Sequence, residues 1–504
     1  MYGDIIITML NIVRILLIIS GILFILFSLF MPASEITLYL WPSRTGDLAF
    51  IEKQKSILYL VTAFSMAIGI LLLVATIFLK SLIRFYYNFI SFIDRIDYRK
   101  WIFTVITIGI ALRIIWIILV PTIPSSDPAE YLSLGKELAN TYTYTSEYRA
   151  VGYPFFLSVI FKLFGSNEII GLLANLILNI TIILLSMFLV VRLTESVLAA
   201  KIVSLIMITF PDFIASSAVF AVEPLFTTLL LLGLIIITEK KCKQLKYSIL
   251  VGALFSIAAF VKPLFVAAFV IPPVIMAVMK YSPKEIIRSS LIIVITMLVI
   301  ISPWTIRNYK VMDEFVPIAP LAGTNLYMGN NPNATGGYYH YDHSLVENIE
   351  TRAKKDKALV KAAVSYIIEN PVKFLSMIPY KLYLTYYRDS SMIHWAFNEI
   401  SKPLPGYIKP VLTILNEIIY HIMLVMALLY AFLVIRQHKF KQPLFLSSII
   451  VIGYLSAFPA VFIGIPRLHY PMIPMIFIFA SLLISENYMN HRKKITSTDL
   501  ETNK

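Results

Sequence analysis

Residues able to do chemistry are sparse in this chain, and they gather first at residues 119–165. The stretch "LVPTIPSSDPAEYLSLGKELANTYTYTSEYRAVGYPFFLSVIFKLFG" holds Asp127, Glu130, Tyr131, Glu137, Glu147, Tyr148 and Arg149 within an otherwise apolar sequence. A helix starting just after Pro124 places Asp127, Glu130 and Tyr131 on one face at i, i+3 and i+4. A carboxylate there could take a proton from an incoming hydroxyl. It could equally help hold a divalent cation such as Mg, Mn or Zn. The plainer reading, given equal weight, is that Ser126 or Asp127 is an N-cap.

A second acidic point is Glu223 in "FAVEPLFTTLLLLGL", with Asp212 a few residues earlier. An ionisable residue at the start of an apolar span is costly unless it faces a cavity or a partner. Contact with interfacial water, with Pro224 in the first helical turn, fits as well. Three cations complete the set: Lys262 in "AAFVKPLFVAAF", Arg307 in "SPWTIRNYKV" and Arg467 in "IGIPRLHYPMIPM", where His469 follows. Each stands where apolar sequence meets the outer face of the topology given below, against the usual inside bias of positive charge. One such cation is most simply a snorkelling side chain. Three together favour an anion site, and a lipid phosphate is the natural ligand.

The elements that must position these groups are membrane helices. Of 504 residues, 59% are hydrophobic and 14% charged, more apolar surface than a soluble protein of this size hides. A helix needs about 20 apolar residues to cross the hydrocarbon. About twelve stretches (11–13) meet this loosely: residues 5–30, 57–79, 101–121, 168–190, 202–220, 223–238, 248–262, 264–279, 290–306, 411–435, 443–463 and 471–485. The first is too long for a signal-peptide core and reads as an uncleaved span. The pairs meeting near Glu223 and Pro263 read as broken or kinked. The net charge of +14 is concentrated in short basic loops, including Lys240–Lys246, Lys280–Arg288 and the tail at Arg492–Lys494. All fall on one side if the spans are right, which marks that side as cytoplasmic and argues against nucleic acid. The single cysteine, Cys242, permits no internal disulfide.

The expected organisation is therefore all-α and polytopic. Residues 1–80 form a two-span addition, and residues 81–306 a transmembrane core with an outer catalytic loop at 122–165. Residues 307–409 form an outer segment with interfacial helices, including an amphipathic helix over 344–369 that stops before Pro371. Residues 410–486 supply the last spans and 487–504 a basic tail. Asn333-Ala334-Thr335 fits a glycosylation acceptor pattern, but so does Asn179-Ile180-Thr181 inside a span, so the pattern carries little weight. No Walker loop, dinucleotide glycine fingerprint, HExxH or paired CxxC is present. These absences disfavour a nucleotide-powered pump and favour a donor already in the membrane.

From about Trp101 onward, the chain resembles the membrane glycosyltransferases of the C superfamily (GT-C), the group with protein O-mannosyltransferases and the lipid A aminoarabinose transferase. "SSDPAEYLSLGKEL" is similar to the first outer loop, with Asp127 at the signature acidic position. "YRAVGYPFFLSVIFKLFG" is similar to an Arg-x-Pro-Gly-Tyr-Pro stretch, with Val151 where proline is usual. "VEPLFTTLLLLGL" resembles an acidic-start span and "VKPLF" a basic-Pro element more often Arg-Pro. "PWTIRNYKVMDEFVPIAPLAGTNLYMGNNPNATGGYY" is the most specific match, and "PRLHYPMIPM" resembles the Arg-Tyr-x-x-Pro-x-x-Pro end. Pro128 follows Asp127 where many protein mannosyltransferases carry an acidic pair, which leaves lipid and glycan acceptors more open than protein. Residues 1–80 match nothing in the group.

The resemblance implies an inverting transfer of a sugar from a polyprenyl-phosphate donor to a lipid, glycan or protein hydroxyl. The site would face the extracytoplasmic side of the plasma membrane. It implies Asp127 and Glu223 as catalytic carboxylates, with Asp127 the base or a metal ligand. Arg149, Lys262, Arg307 and Arg467 would hold the donor phosphate. Glu130, Tyr131, Tyr153, Asn330, Tyr339 and His340 would contact sugar or acceptor, with Tyr338 and Asp342 as further candidates beside them. The alternative class is a polytopic transporter or lipid-linked sugar flippase, for which an internal repeat is expected and none is found. An O-antigen polymerase or ligase shares the many spans but not the acidic first loop.

Overall fold

The computed structural model describes residues 18–26, 48–341, 343–439 and 442–502. It is all-helical, 80% helix with no strands among those residues. The chain divides into two compact units, Met1–Arg95 and Ile96–Lys504. Most of the described first unit is one long helix, α1 (Leu48–Arg95), which covers the expected span at 57–79. The expected span at 5–30 lies mostly outside the described residues.

The second unit carries every candidate site residue. Its first helices are α2 (Tyr98–Leu119), α3 (Asp127–Thr141), α4 (Gly152–Phe164), α5 (Glu168–Thr194), α6 (Val197–Thr209) and α7 (Pro211–Ala215). Next come α8 (Val222–Thr238), α9 (Leu245–Val261), α10 (Ile271–Val278), α11 (Pro283–Met312) and α12 (Ala322–Gly329). The chain ends with α13 (Arg352–Glu369), α14 (Pro371–Tyr386), α15 (Ser391–Ala396), α16 (Ile408–Arg436), α17 (Pro443–Val461) and α18 (Ile473–Thr502). A short 3-10 segment, Pro466–Met472, leads into α18.

Among the described residues, six helices are long and apolar enough to cross a membrane: Tyr98–Leu119, Glu168–Thr194, Pro283–Met312, Ile408–Arg436, Pro443–Val461 and Pro466–Ile495. The last is the most enclosed of the six. The expected span at 202–220 is two helices, Val197–Thr209 and Pro211–Ala218, bent by 62°. Pro211 opens the second piece, where its missing N–H and ring clash forbid a continuous helix. The expected spans at 223–238, 248–262 and 264–279 are shorter apolar helices, Val222–Thr238, Leu245–Val261 and Pro263–Val278. The break between the last two falls at Lys262-Pro263, where the residue before proline leaves the helical region (φ −129°, ψ 104°).

Local signals set the boundaries. Ser282 and Glu285 form a reciprocal capping box with Pro283 in the first turn of α11. Gly165 ends α4 with φ 99°, a conformation that suits glycine. The helix expected over 344–369 starts at Arg352, later than residue 344, because Thr351 supplies the cap to Lys354 N. It ends at Glu369, before Pro371, as expected.

Candidate active site

Asp127 is the first residue of α3, and Ser126 before it has φ 53° and ψ −131°. That backbone is costly for a non-glycine residue, about 1–3 kcal/mol, and it turns the chain so that α3 begins at the carboxylate. No side chain caps the helix, so the capping reading does not describe Asp127. Its carboxylate accepts from two arginines instead. Arg149 Nη2 lies 2.6 Å from Oδ1, and Arg467 Nη1 lies 2.6 Å from Oδ2. Arg149 Nε also donates to Glu130, one turn along the same face, as the i, i+3 spacing requires. Burial alone would raise the Asp127 carboxyl, but Arg467 and Arg149 outweigh it and hold it below the usual carboxylate range.

Close backbone packing brings a second ion pair to this region. α3 and α4 lie against each other, and Gly152 at the start of α4 runs along the end of α9. A Cβ on Gly152 would fall 2.5 Å from Val261 N, so only glycine permits this approach. The next residue after Val261 is Lys262. Its ammonium lies 3.1 Å from Glu223 Oε1 in the first turn of α8, with side-chain exposures of 10% and 2%. It also sits 5.5 Å from the Phe226 ring centre. Arg467 is within electrostatic reach of both Asp127 and Glu223, and Lys262 of Arg467. The two ion pairs are thus one cluster.

Aromatic rings wall this cluster. Tyr131 meets Tyr153 edge to face at 5.6 Å, and Tyr153 donates to Asn175 Oδ1 at 2.8 Å. The Arg149 guanidinium lies 5.5 Å from Tyr131 and 5.0 Å from Tyr148. Arg352 of α13 stacks on Tyr148 at 4.3 Å, and Arg467 lies 5.1 Å from Trp395. Such contacts stiffen planar guanidiniums without neutralising them.

Arg307 is one step away. It donates to Tyr144 O at 2.8 Å and to Asn308 Oδ1 at 3.1 Å, and it stacks over Trp304. The Tyr144 hydroxyl donates in turn to Arg149 O at 2.9 Å. The structure thus gathers Asp127, Glu130, Tyr131, Arg149, Tyr153, Glu223, Lys262 and Arg467, with Arg307 linked through Tyr144.

Three expected contact residues lie elsewhere. Asn330 is buried, donates to Leu326 O and Val461 O, and accepts from Lys381 Nζ at 2.9 Å. Its role is to join α12, α14 and α17. Tyr339 packs against a separate apolar cluster of Met328, Tyr341, Val346, Leu359 and Ile463. His340 is exposed and meets Tyr338 at 5.6 Å. Asp342 lies outside the described residues. Asn179 of the second acceptor pattern is fully buried in α5 and bonded to Asn175 O and Ser216 Oγ. Tyr144, Asn175, Trp395 and Lys381 carry functional or bracing contacts that no motif signalled.

A metal held by Asp127 does not fit this arrangement. No group of three His, Cys, Asp or Glu side chains able to hold an ion is found among the described residues, and both Asp127 oxygens are committed to guanidiniums.

No protein-family model and no curated protein matches the chain. Fold and site together define a helical protein whose described residues include six helices able to cross a membrane, built around a carboxylate clamped between two arginines.

Proposed function

We propose that the chain is an integral membrane glycosyltransferase that moves a sugar from a polyprenyl-phosphate donor to an acceptor hydroxyl with inversion. The observation that carries this reading is the double clamp on Asp127, next to the Glu223–Lys262 pair. Three cations, Arg149, Arg467 and Lys262, meet three carboxylates, Asp127, Glu130 and Glu223, and Arg307 adds a further positive charge one contact away through Tyr144. A phosphate entering this cluster completes the neutralisation.

The clamp also suggests an order of events. With both oxygens bonded to guanidiniums and its pKa depressed, Asp127 is a weak base in the resting state. A donor phosphate competes for the same guanidiniums. As Arg149 and Arg467 turn to it, Asp127 is freed to accept the proton of the acceptor hydroxyl. The acceptor oxygen attacks the anomeric carbon and the sugar–phosphate C–O bond breaks. The departing phosphate keeps the electron pair and is stabilised by the arginines, an electrostatic contribution on the scale of an oxyanion hole.

In this reading the short apolar helices and the bent pair join the six long ones to approach about twelve crossings of GT-C type. The site faces the extracytoplasmic side of the plasma membrane, and the acceptor is a lipid, glycan or protein.

The test is transfer by purified protein from a panel of polyprenyl-phosphate sugars, comparing wild type with Asp127→Asn. Donor consumption by wild type alone supports the class and the role of Asp127. No consumption by either, with an adequate donor and acceptor panel, moves the reading to a transporter, and lipid flipping is then assayed.

A further inference from the structure

Arg467 is the one of the two clamping arginines that lies far along the chain from Asp127, and it stands in a 3-10 turn holding Pro466 and Pro471, which donate no backbone hydrogen bond. Something else must fix it. Two residues on, His469 is fully buried. Its Nδ1 lies 2.6 Å from Thr385 O, and its Nε2 lies 3.1 Å from Asp389 Oδ1. The Tyr386 and Tyr420 rings stack on the imidazole at 5.5 and 5.3 Å, inclined by 28° and 29°. A carbonyl can only accept, so Nδ1 donates to Thr385 O, which leaves Nε2 turned to the Asp389 carboxyl group as a close polar contact.

Asp389 is itself held. Its N–H donates to both Glu417 oxygens at 3.1 and 3.2 Å, and its carbonyl accepts from Asn416 Nδ2. Asn416 Oδ1 accepts from Asp212 N at 2.9 Å. The Asp212 carboxylate accepts from Met392 N and Ile393 N, at 2.9 and 3.0 Å, in the first turn of α15. On α15 stands Trp395, the ring against which Arg467 lies. The network therefore braces Arg467 twice, through its own segment by His469 and through its aromatic platform by Asp212.

We propose that the buried His469–Asp389 pair, tied through Asn416 to Asp212, is a positioning device that sets Arg467 on Asp127. Neither His469 nor Asp389 touches the reacting atoms. The consequence for donor binding rests on the function proposed above, but the positioning itself does not. Cost considerations support a role of this kind. Taking Asp212, Asp389 and His469 out of water is expensive, and an apolar core would be cheaper unless geometry is the gain.

The test is a double-mutant cycle on thermal unfolding of the full-length protein in detergent, without ligand. Asp127→Asn is measured in wild type and in His469→Gln. Asp389→Asn, which keeps the size but removes the charge facing Nε2, serves as the second background should the histidine variant fold poorly. The expected result is a Tm loss from Asp127→Asn that shrinks to less than half in either background, since the Arg467 contact is already loosened. Additive losses would overturn the proposal, because a brace serving only the fold would leave the Asp127 contact at full strength.

Binding of sugar-free undecaprenyl phosphate is measured beside it. Weakening on the order of tenfold in His469→Gln, the scale seen when the support of a ligating group is removed, agrees with positioning. No binding by wild type, with the coupling intact, fails the transferase reading and leaves the positioning standing.

Discussion

Replacing Asp127 with asparagine tests the clamp most directly. The carboxylate forms two charge-assisted bonds of 2.6 Å, and its side chain is 16% exposed. Asparagine keeps one acceptor oxygen but turns an NH2 toward the other guanidinium, so one bond is lost and one donor–donor conflict is made. A hydrogen bond to a charged group contributes roughly 1.5–3 kcal/mol, and stranding a cation in a buried pair costs roughly 3–5 kcal/mol. Arg149 keeps Glu130 and two tyrosine rings, and the Arg467 side chain is 33% exposed. Both offset part of the loss, which leaves roughly 2–4 kcal/mol. Glu130→Gln is the control: Glu130 is 54% exposed, and an exposed pair is worth at most about 1 kcal/mol. Thermal unfolding at neutral pH should show Asp127→Asn well below Glu130→Gln, with part of the loss recovered by adding Arg467→Met. Equal melting of the two single variants would refute the clamp as a stabilising contact. Transfer activity, if present, should fall further than stability accounts for.

Acid offers a related check. A carboxyl depressed in the folded state contributes stability above its ordinary value of 3.8, and this is lost as pH falls below that value toward the folded one; an acid titration of unfolding should show this loss in wild type and not in Asp127→Asn. For the Glu223–Lys262 pair, Glu223→Gln alone should destabilise by roughly 3–5 kcal/mol, while Glu223→Gln with Lys262→Met should recover most of it, since breaking a buried pair costs more than replacing both members; denaturation that is additive across the pair would count against it. Gly152→Ala forces the α4 and α9 backbones apart, an overpacking cost of about 1–3 kcal/mol, and should lower both Tm and donor binding. Lys381, held by Asn330 Oδ1 and Val461 O, is brought down by burial from 10.5 to about 8. The unfolded chain binds that proton more readily, so stability should rise as pH climbs from about 8 toward 10.5. Lys381→Met should flatten that rise.

Legibility in the sequence follows distance along the chain. The face of Asp127, Glu130 and Tyr131 is legible because helical spacing is local, and the break at Pro263 because proline acts on its own neighbours, whereas the bend at Pro211 falls inside a stretch that reads as one span, 202–220. The expectation that Lys262, Arg307 and Arg467 share a charged site has only their common anomaly to support it. The partners themselves, Asp127 with Arg467 and Glu223 with Lys262, are tertiary facts. The aromatic loop at 330–340 reads as a contact surface, yet Asn330 is committed to Lys381 and Tyr339 to packing. Polar side chains in a turn look alike whether they meet a ligand or a neighbouring helix. Hydropathy marks the apolar helices but not their lengths. Three expected spans are shorter helices, and one is a bent pair.

The Asp127–Arg467 contact joins positions 340 residues apart. At about 5–20 residues per second, synthesis of that interval takes roughly 20–70 s. Through that time Asp127 has been made and its far guanidinium has not. A nascent chain carries Arg149 and Glu130 but no complete clamp, so the cluster stays half-built until the helix that begins at Pro466 is made. Assembly of the site is thereby tied to the making of Arg467, and a chain truncated before it lacks the clamp altogether.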